Sequence, residues 1–164
     1  MTNSRENSTE PLVETVDLCV TLRGQPVLRE ISLEVPQGQT LVIIGESGCG
    51  KTVLLKSIVG LIPPTRGKVY FDGRELAKLN DEQLTRQRTR QGFLFQGAAL
   101  FDSMTVGQNI AFPIRQQQQL EETEIRERVY ALLREVGLPK DTVAKKPAEL
   151  SGGMRKRVGL ARAL

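Results

Sequence analysis

A glycine-rich segment with one lysine and one threonine is the part of this sequence best suited to chemistry. It consists of Gly45, Glu46, Ser47, Gly48, Cys49, Gly50, Lys51 and Thr52. This is the pattern G-x-x-x-x-G-K-[ST], in which glycines let backbone N–H groups turn inward around an anion. Lys51 would add a cation for the β- and γ-phosphates of a nucleotide, and the Thr52 hydroxyl would bind Mg²⁺. The segment predicts a phosphate-binding loop in which all eight residues contact the nucleotide.

Two further positions are candidates for a role beside that loop. Ser151, Gly152 and Gly153 combine a hydroxyl, two small residues and a helix N-terminus, which together favour an anion. The alternative is an ordinary helix cap after a glycine turn. Gln96 follows a short apolar run, where its amide could reach a metal ion or a water near the nucleotide. A plain loop residue is the alternative there.

The elements that must position these residues follow from the hydrophobic pattern. A buried strand before the loop and a helix after it provide the context that a phosphate-binding loop requires. In chain order we expect a hairpin (13–22 and 27–35), a buried strand (40–44), a helix (51–59), a short strand (68–71), a helix from 80 or 81 to about 90, a second buried strand (92–95), a helix over 105–111 that stops before Pro113, a solvated glutamine run (116–119), a helix (121–136) and a last helix capped by Ser151.

Composition excludes several classes of protein. The chain has 164 residues, about the size of one domain, and no histidine, so histidine bases and histidine metal sites are ruled out. Cys19 and Cys49 cannot build a disulfide framework and suggest a reducing compartment. The longest apolar run, 53–62, is too short to cross a bilayer. The net charge is +4, and positive charge is in excess from residue 74 onward, which leaves open a solvated face, nucleic acid, an acidic membrane surface or bound phosphates.

The order and spacing of the three motifs resemble those of the ATP-binding cassette (ABC) ATPases. The resemblance implies an α/β P-loop NTPase fold with an antiparallel β subdomain and a helical subdomain. It divides the chain into a flexible tail (1–12), a nucleotide-binding core (13–96), a helical subdomain (97–149) and a signature motif with its helix (150–164).

The same resemblance implies an ATPase that uses ATP and Mg²⁺. Lys51, Gln96 and Ser151 would be its catalytic residues, and Thr52 and Gln96 its metal ligands. Ser151, Gly152 and Gly153 would contact the nucleotide, with Ser151 and Gly153 facing the γ-phosphate held by the opposite subunit of a head-to-tail homodimer.

A finer resemblance is to the Mla-type ATPases of phospholipid transport. It rests on the stretch from Leu94 to Arg115 and on Leu-Ser-Gly-Gly-Met-Arg-Lys-Arg, which ends at Arg157. The implied partners are a transmembrane permease and, through it, a lipid-carrying MCE-type protein, with no nucleic acid. The implied location is cytoplasmic, on the inner face of the cell membrane.

Two departures from the family pattern leave alternatives open. No aromatic residue precedes Tyr70, so Leu22 is aligned where the family usually stacks an aromatic ring on adenine. The 164 residues end before the Walker B strand, with its magnesium-binding aspartate, and before the catalytic glutamate and switch histidine. We therefore expect C-terminal truncation, which makes hydrolysis by this chain alone doubtful. The alternatives are a truncated fragment that hydrolyses nothing and, more remotely, a DNA-repair ABC-type ATPase.

Overall fold

Among the described residues, four strands form an antiparallel sheet in the first of two compact units, Met1–Arg90 and Gln91–Leu164. The computed structural model describes residues 11–117 and 120–164. Along the sheet the strands run β2-β1-β3-β4. Their bounds are Val13–Leu22 for β1, Gln25–Val35 for β2, Arg66–Phe71 for β3 and Arg74–Glu75 for β4.

Two-residue turns connect the hairpins of this sheet. Arg23 and Gly24 join β1 to β2, and Asp72 and Gly73 join β3 to β4. All four residues have positive φ, between 50° and 77°. Positive φ at both turn residues is the type I′ geometry, whose twist matches that of the paired strands. The predicted hairpin and the predicted strand 68–71 are confirmed.

The core of the first unit lies between the sheet and helix α1, Lys51–Ile58. Helix α2, Asp81–Arg88, begins at Asn80, whose side chain accepts from the backbone N–H of Gln83 while the Gln83 side chain accepts from the Asn80 N–H. This reciprocal cap satisfies two donors that a helix start leaves free. The buried apolar residues of the unit are Leu18, Val20, Leu28, Leu54, Val69, Phe71 and Leu76.

The described residues of the second unit form three α-helices. They are α3, Val106–Gln117, α4, Glu122–Glu135, and α5, Gly152–Ala163, with 3₁₀ turns at Lys140–Ala144 and Pro147–Glu149. In the part of the chain that the structure describes, no helix has the length and apolar character needed to span a membrane. The helices share one buried cluster, formed by Val106, Ile110, Ala111, Ile114, Ile125, Val129, Leu132, Leu133, Val136, Leu138, Leu150, Val158 and Ala161.

The two predicted buried strands do not form. Residues 40–44 and 92–95 have no regular secondary structure, and the side chains of Val42 and Ile44 are 71% and 89% exposed. A buried strand requires hydrogen-bonded neighbours, and no described strand pairs with either segment. Aliphatic character alone was therefore an insufficient basis for the prediction.

The predicted stop before Pro113 is also wrong, because α3 continues to Gln117. Proline removes one helical hydrogen bond, but Ile110 and Ile114 on either side are buried in the helical core. Packing of this face outweighs the missing bond. Residues 118 and 119 of the predicted glutamine connection lie outside the described residues.

The predicted tail 1–12 lies almost wholly outside the described residues. Only Pro11 and Leu12 are described. Leu12 packs against the core of the first unit, and its carbonyl accepts a 2.8 Å hydrogen bond from the Asp72 N–H. Leu12 therefore belongs to the fold, and its assignment to the tail was wrong. The predicted subdomain borders at residues 96 and 149 stay predictions. The division of the chain into its two compact units falls after Arg90.

Candidate functional site

The glycine-rich loop adopts a conformation that only glycine accepts easily. Gly48 and Gly50 have φ of 85° and 103°, in the region where a β-carbon is strained. A β-carbon at Gly45 would lie 2.8 Å from the Cys49 Sγ, and one at Gly50 would lie 3.0 Å from the Leu28 Cδ2. The loop is thus tightly folded against β2 and leads directly into α1.

Lys51 extends its side chain back over the loop. Its Nζ donates to the carbonyl oxygens of Gly45 at 2.8 Å and Glu46 at 2.6 Å, and lies 3.5 Å from the Cys49 Sγ. The ammonium group therefore sits above the loop, held by neutral acceptors. A phosphate oxygen carries more negative charge than a carbonyl oxygen and makes a stronger bond to an ammonium. This cation is placed to transfer its hydrogen bonds from the loop to a phosphate.

Backbone donors at the start of α1 are available to the same anion. The N–H groups of Lys51, Thr52 and Val53 belong to the first helical turn, which has no internal acceptor for them. That turn carries no acidic side chain to compete for its positive end. The Thr52 side chain is exposed there, offering the kind of hydroxyl oxygen that Mg²⁺ accepts. The donor set fits a magnesium-bound triphosphate.

Ser151 caps α5 as predicted. Its Oγ accepts a 3.2 Å hydrogen bond from the Met154 N–H. Since a hydroxyl can accept and donate at once, the Ser151 O–H remains able to donate to an anion. The first turn of α5 contains no acidic residue. The capping role and the anion-binding role are therefore compatible.

Gly152 and Gly153 are not required by the fold of this chain. A β-carbon at Gly153 would meet no atom within 4 Å, and one at Gly152 would meet only the Arg155 Nη2 at 3.9 Å. Neither glycine has positive φ among the described residues. Glycine in a helix costs roughly 0.5–1 kcal/mol relative to alanine. The small size of these two exposed residues is what a close approach from outside the chain would need.

Gln96 begins a turn that extends to Ala99, and its side chain is exposed. Sequence reasoning missed the residues that hold the chain near it. Asn109 is fully buried, and its side chain accepts from the Phe101 N–H and donates to the carbonyls of Phe101 and Thr105. An amide in the apolar face of α3 was the available signal. Arg162, which binds the turn itself, gave no local signal.

The basic cluster at the start of α5 is mostly tied to the backbone. Arg155 Nη1 donates to the Leu150 carbonyl at 2.6 Å, and Arg157 Nη1 donates to the Gly137 carbonyl at 3.0 Å. These arginines and Lys156 contribute to the excess of positive charge after residue 74, for which the sequence left open a solvated face or an anion-binding role. Both guanidinium groups instead stabilise neighbouring segments of the second unit.

Two exposed aromatic side chains lie beside a cavity on α3. Phe101 and Phe112 are 43% and 38% exposed, with ring centroids 5.1 Å apart. A cavity of about 330 Å³ next to them is lined by Met104, Phe112, Arg115, Ser103, Gln108 and Gln116. Exposed aromatic residues with methionine and arginine are typical of protein interfaces. This surface is formed by residues between 101 and 116, shortly after Gln96 in the chain.

Comparison with known protein families decides the classification. The model of the family described as ABC transporter matches residues 28–164, which is most of the chain. The chain belongs to the ABC transporter family. As a member of that family it has the P-loop ABC fold expected from the sequence, with an antiparallel sheet and helices.

Curated relatives of this ABC protein have two kinds of transport named for them. The probable ribonucleotide transport ATP-binding protein mkl of Mycobacterium leprae is 43% identical over 152 residues, covering 93% of this chain and 44% of that protein. The intermembrane phospholipid transport system ATP-binding protein MlaF of Escherichia coli is 40% identical over 159 residues, covering 97% of this chain and 59% of that protein. The chain thus spans about half the length of the relatives it matches.

Solved ABC structures share the fold. The cassette MJ0796, in a dimeric post-hydrolysis state bound to ADP and Pi, superposes with a TM-score of 0.86 at 31% identity. The match covers 93% of this chain and 68% of that structure. A second dimeric structure of the same bacterial cassette gives a TM-score of 0.88.

Proposed function

We propose that this chain is the ATP-binding part of an ABC transporter that couples ATP hydrolysis to the movement of phospholipid through a separate membrane permease. The observation that carries the proposal is the phosphate loop, where Lys51 Nζ lies over the carbonyls of Gly45 and Glu46 beside the free N–H groups of α1. Family membership and the MlaF relatives support the transport role.

Each site residue has a task that its chemistry suits. The loop residues 45–50 and Lys51 bind the phosphates, and Ser151 of one subunit donates its hydroxyl to the γ-phosphate bound by the other. Thr52 and the Gln96 amide would hold Mg²⁺ by their oxygens. When bound, Mg²⁺ neutralises charge on the phosphoryl group being transferred. Lys51 stabilises the same charge, so positioning and electrostatics supply the catalysis.

The partners follow from the same assignment. The dimeric neighbours support a homodimer, and the exposed Gly152 and Gly153 suit the close approach of the opposite subunit. We place the permease contact at the surface around Phe101 and Phe112. That contact would hold the protein on the inner face of the membrane, with an MCE-type lipid-binding protein reached through the permease and no nucleic acid involved.

Mixing two inactive variants tests the role of Ser151 in trans. Ser151→Arg should bind ATP but not hydrolyse it as a dimer, and Lys51→Ala should do neither. In a head-to-tail dimer one site uses Lys51 of one subunit and Ser151 of the other, so a mixed dimer regains one intact site. We expect a mixture of the full-length variants to recover part of the hydrolysis rate. Absence of recovery, with wild-type mixing controls active, would contradict the assignment.

Transport assays distinguish the two cargoes named for the relatives. The full-length protein with its permease in proteoliposomes should move a fluorescent phospholipid when ATP is supplied, and Lys51→Ala should stop this movement. ATP-dependent uptake of a ribonucleotide without lipid movement would overturn the phospholipid assignment and favour the role named for mkl.

A further inference from the structure

The second half of α5 lies directly against residues 92–99, the segment that contains Gln96. A β-carbon on Gly159 would lie 2.9 Å from the Leu94 Cδ1 and 3.0 Å from the Ala98 Cβ, so the helix and the segment are in close contact. A β-carbon on Gly92 would collide with the Ala163 carbonyl oxygen. The course of this segment is therefore set by α5.

The turn after Gln96 has an unfavourable backbone conformation. Ala98 and Ala99 have φ of 63° and 47°, and Ala98 is fully buried. Residues other than glycine are strained in this left-handed region and persist only where the surroundings hold them. The 2.9 Å bond from the Ala98 N–H to the Phe95 carbonyl closes the turn but leaves the carbonyls of both alanines to other donors.

Arg162 binds both of those carbonyls. Its Nη2 donates to the Ala98 oxygen and its Nη1 to the Ala99 oxygen, each at 2.7 Å. The guanidinium also lies 5.8 Å from the centre of the Phe101 ring. No described carboxylate pairs with it. Partial burial lowers the pKa of Arg162, but an arginine remains charged in proteins. The charged guanidinium group of Arg162 thus binds two neutral carbonyl groups of one turn.

We propose that Arg162 is the positioning residue for Gln96: by holding the carbonyls of Ala98 and Ala99 it fixes the turn from which the Gln96 amide reaches magnesium-bound nucleotide. The inference rests on the proposed role of Gln96 as a magnesium ligand. It adds that α5 carries Ser151 at one end and the support of Gln96 three turns later, so one helix orients both.

Hydrogen exchange tests the structural half of the inference. In Arg162→Ala the amides of residues 98–100 should exchange roughly tenfold faster or more, since two charge-assisted bonds are lost. Arg162→Lys keeps a single donor group and should fall between. Arg157→Ala is the matched control, because it removes an arginine–carbonyl bond of the same helix at Gly137. Unchanged exchange at 98–100 in Arg162→Ala would overturn the inference.

Magnesium dependence of ATP binding tests the functional half without requiring hydrolysis. The affinity of the full chain for a fluorescent ATP analogue is measured with Mg²⁺ and with EDTA. Gln96→Ala and Arg162→Ala should each reduce the gain from Mg²⁺ by at least threefold, the double variant no further than Gln96→Ala alone, and Arg157→Ala should not change it.

The outcomes separate the inference from the function on which it rests. If Gln96→Ala loses the magnesium gain but Arg162→Ala keeps it, the positioning role is overturned while the proposed role of Gln96 stands. Additive losses in the double variant would also overturn it, because Arg162 would then act independently of Gln96. If Gln96→Ala itself has no effect, the magnesium role of Gln96 fails and the inference fails with it.

Discussion

Lys51 is the residue on which the proposed nucleotide site depends most. Its ammonium makes two short bonds to the loop carbonyls, at 2.8 and 2.6 Å, above donors that a helix start cannot satisfy internally. Hydrogen bonds to a charged group contribute about 1.5–3 kcal/mol each. A phosphate that replaces the carbonyls would therefore gain more from this side chain than from any one backbone amide.

Replacing Lys51 should remove nucleotide binding. We expect Lys51→Ala in the full-length protein to weaken ATP binding at least a hundredfold, since two or more charge-assisted bonds are lost. Titration with a fluorescent ATP analogue measures the effect. Lys56→Ala, in the last turn of the same helix, is the matched control and should bind normally. Near-normal binding by Lys51→Ala would contradict the phosphate-loop assignment.

Leu22 tests how the adenine ring is held. This side chain ends β1 and is 37% exposed, so an aromatic ring there would be free to stack on a base. Leu22→Tyr should tighten ATP binding about threefold or more if adenine packs at this position. Thr21→Tyr places the same ring on the opposite face of the strand and should leave the affinity unchanged. Equal ATP affinities of Leu22→Tyr and Thr21→Tyr would show that adenine does not pack at Leu22.

Helix α5 has glycines of two different kinds. Gly159 is buried, and a β-carbon there would lie within 3.0 Å of Leu94 and Ala98, whereas Gly153 is exposed with open space around it. The first glycine serves packing within the second unit. Gly153 has no packing role within the described part of the chain, so contact with an external ligand or subunit is the remaining reason for its small size.

Replacement by alanine should therefore have a different consequence at each of these two glycines. Gly159→Ala should lower the free energy of unfolding by about 1 kcal/mol, because overpacking outweighs the gain in helix propensity. Gly153→Ala should change stability by less than about 0.5 kcal/mol but slow ATP hydrolysis by the full-length dimer. Urea unfolding and turnover measurements separate the two. If turnover were normal in both variants, a close approach of an external ligand or subunit at Gly153 would be contradicted.

The helices α3 and α4 are joined by an exposed ion pair that depends on pH. Arg115 Nε and Nη2 donate to the two carboxylate oxygens of Glu122 at 3.0 and 2.8 Å. These bonds lower the pKa of Glu122 below its ordinary value of 4.5 and raise the pKa of Arg115. A carboxyl group whose pKa is lower in the folded state than in the unfolded state stabilises the folded state at pH values above its ordinary, unfolded-state pKa. The contribution disappears as the pH falls through the folded-state pKa.

Neutralising Glu122 should be felt only at higher pH. At pH 7 Glu122→Gln should unfold at a slightly lower urea concentration than wild type, and the difference should narrow as the pH is lowered through the folded-state pKa, because wild type then loses the same charge. The exposed Glu127 of the same helix supplies the control Glu127→Gln, which should show a smaller effect at pH 7. A difference for Glu122→Gln that grows in acid would contradict the pairing.

Sequence reasoning succeeded in this molecule where structure is decided locally. The hairpin of β1 and β2 and the Ser151 cap depend on glycine conformations or on hydrogen bonds over a few residues. The strand predicted at 40–44 failed because a strand needs a neighbour, and that neighbour is not encoded in the segment itself. Arg162 escaped for a related reason: its acceptors, Ala98 and Ala99, lie more than sixty residues earlier.

The unpaired segment 40–44 makes the isolated 164-residue chain prone to self-association. Leu41, Val42 and Ile44 are 46%, 71% and 89% exposed, and neighbouring exposed aliphatic residues form a surface that seeks cover. We expect the double variant Val42→Thr, Ile44→Thr to scatter less light and to sediment as smaller species at the same concentration. Leu164→Thr, which removes one exposed side chain at another place, should have little effect. Unchanged self-association of the double variant would show that a different surface is responsible.

Strand β1 pairs on one side with β2, which follows it within two residues, and on the other with β3, where Val13 lies opposite Phe71. During synthesis the β1–β2 hairpin therefore emerges from the ribosome long before the strand that completes it. The phosphate loop and α1 emerge in the interval, while the free edge of β1 is open to other strands. A pause of the ribosome after the hairpin has emerged and before β3 has emerged would prolong the exposure of this edge.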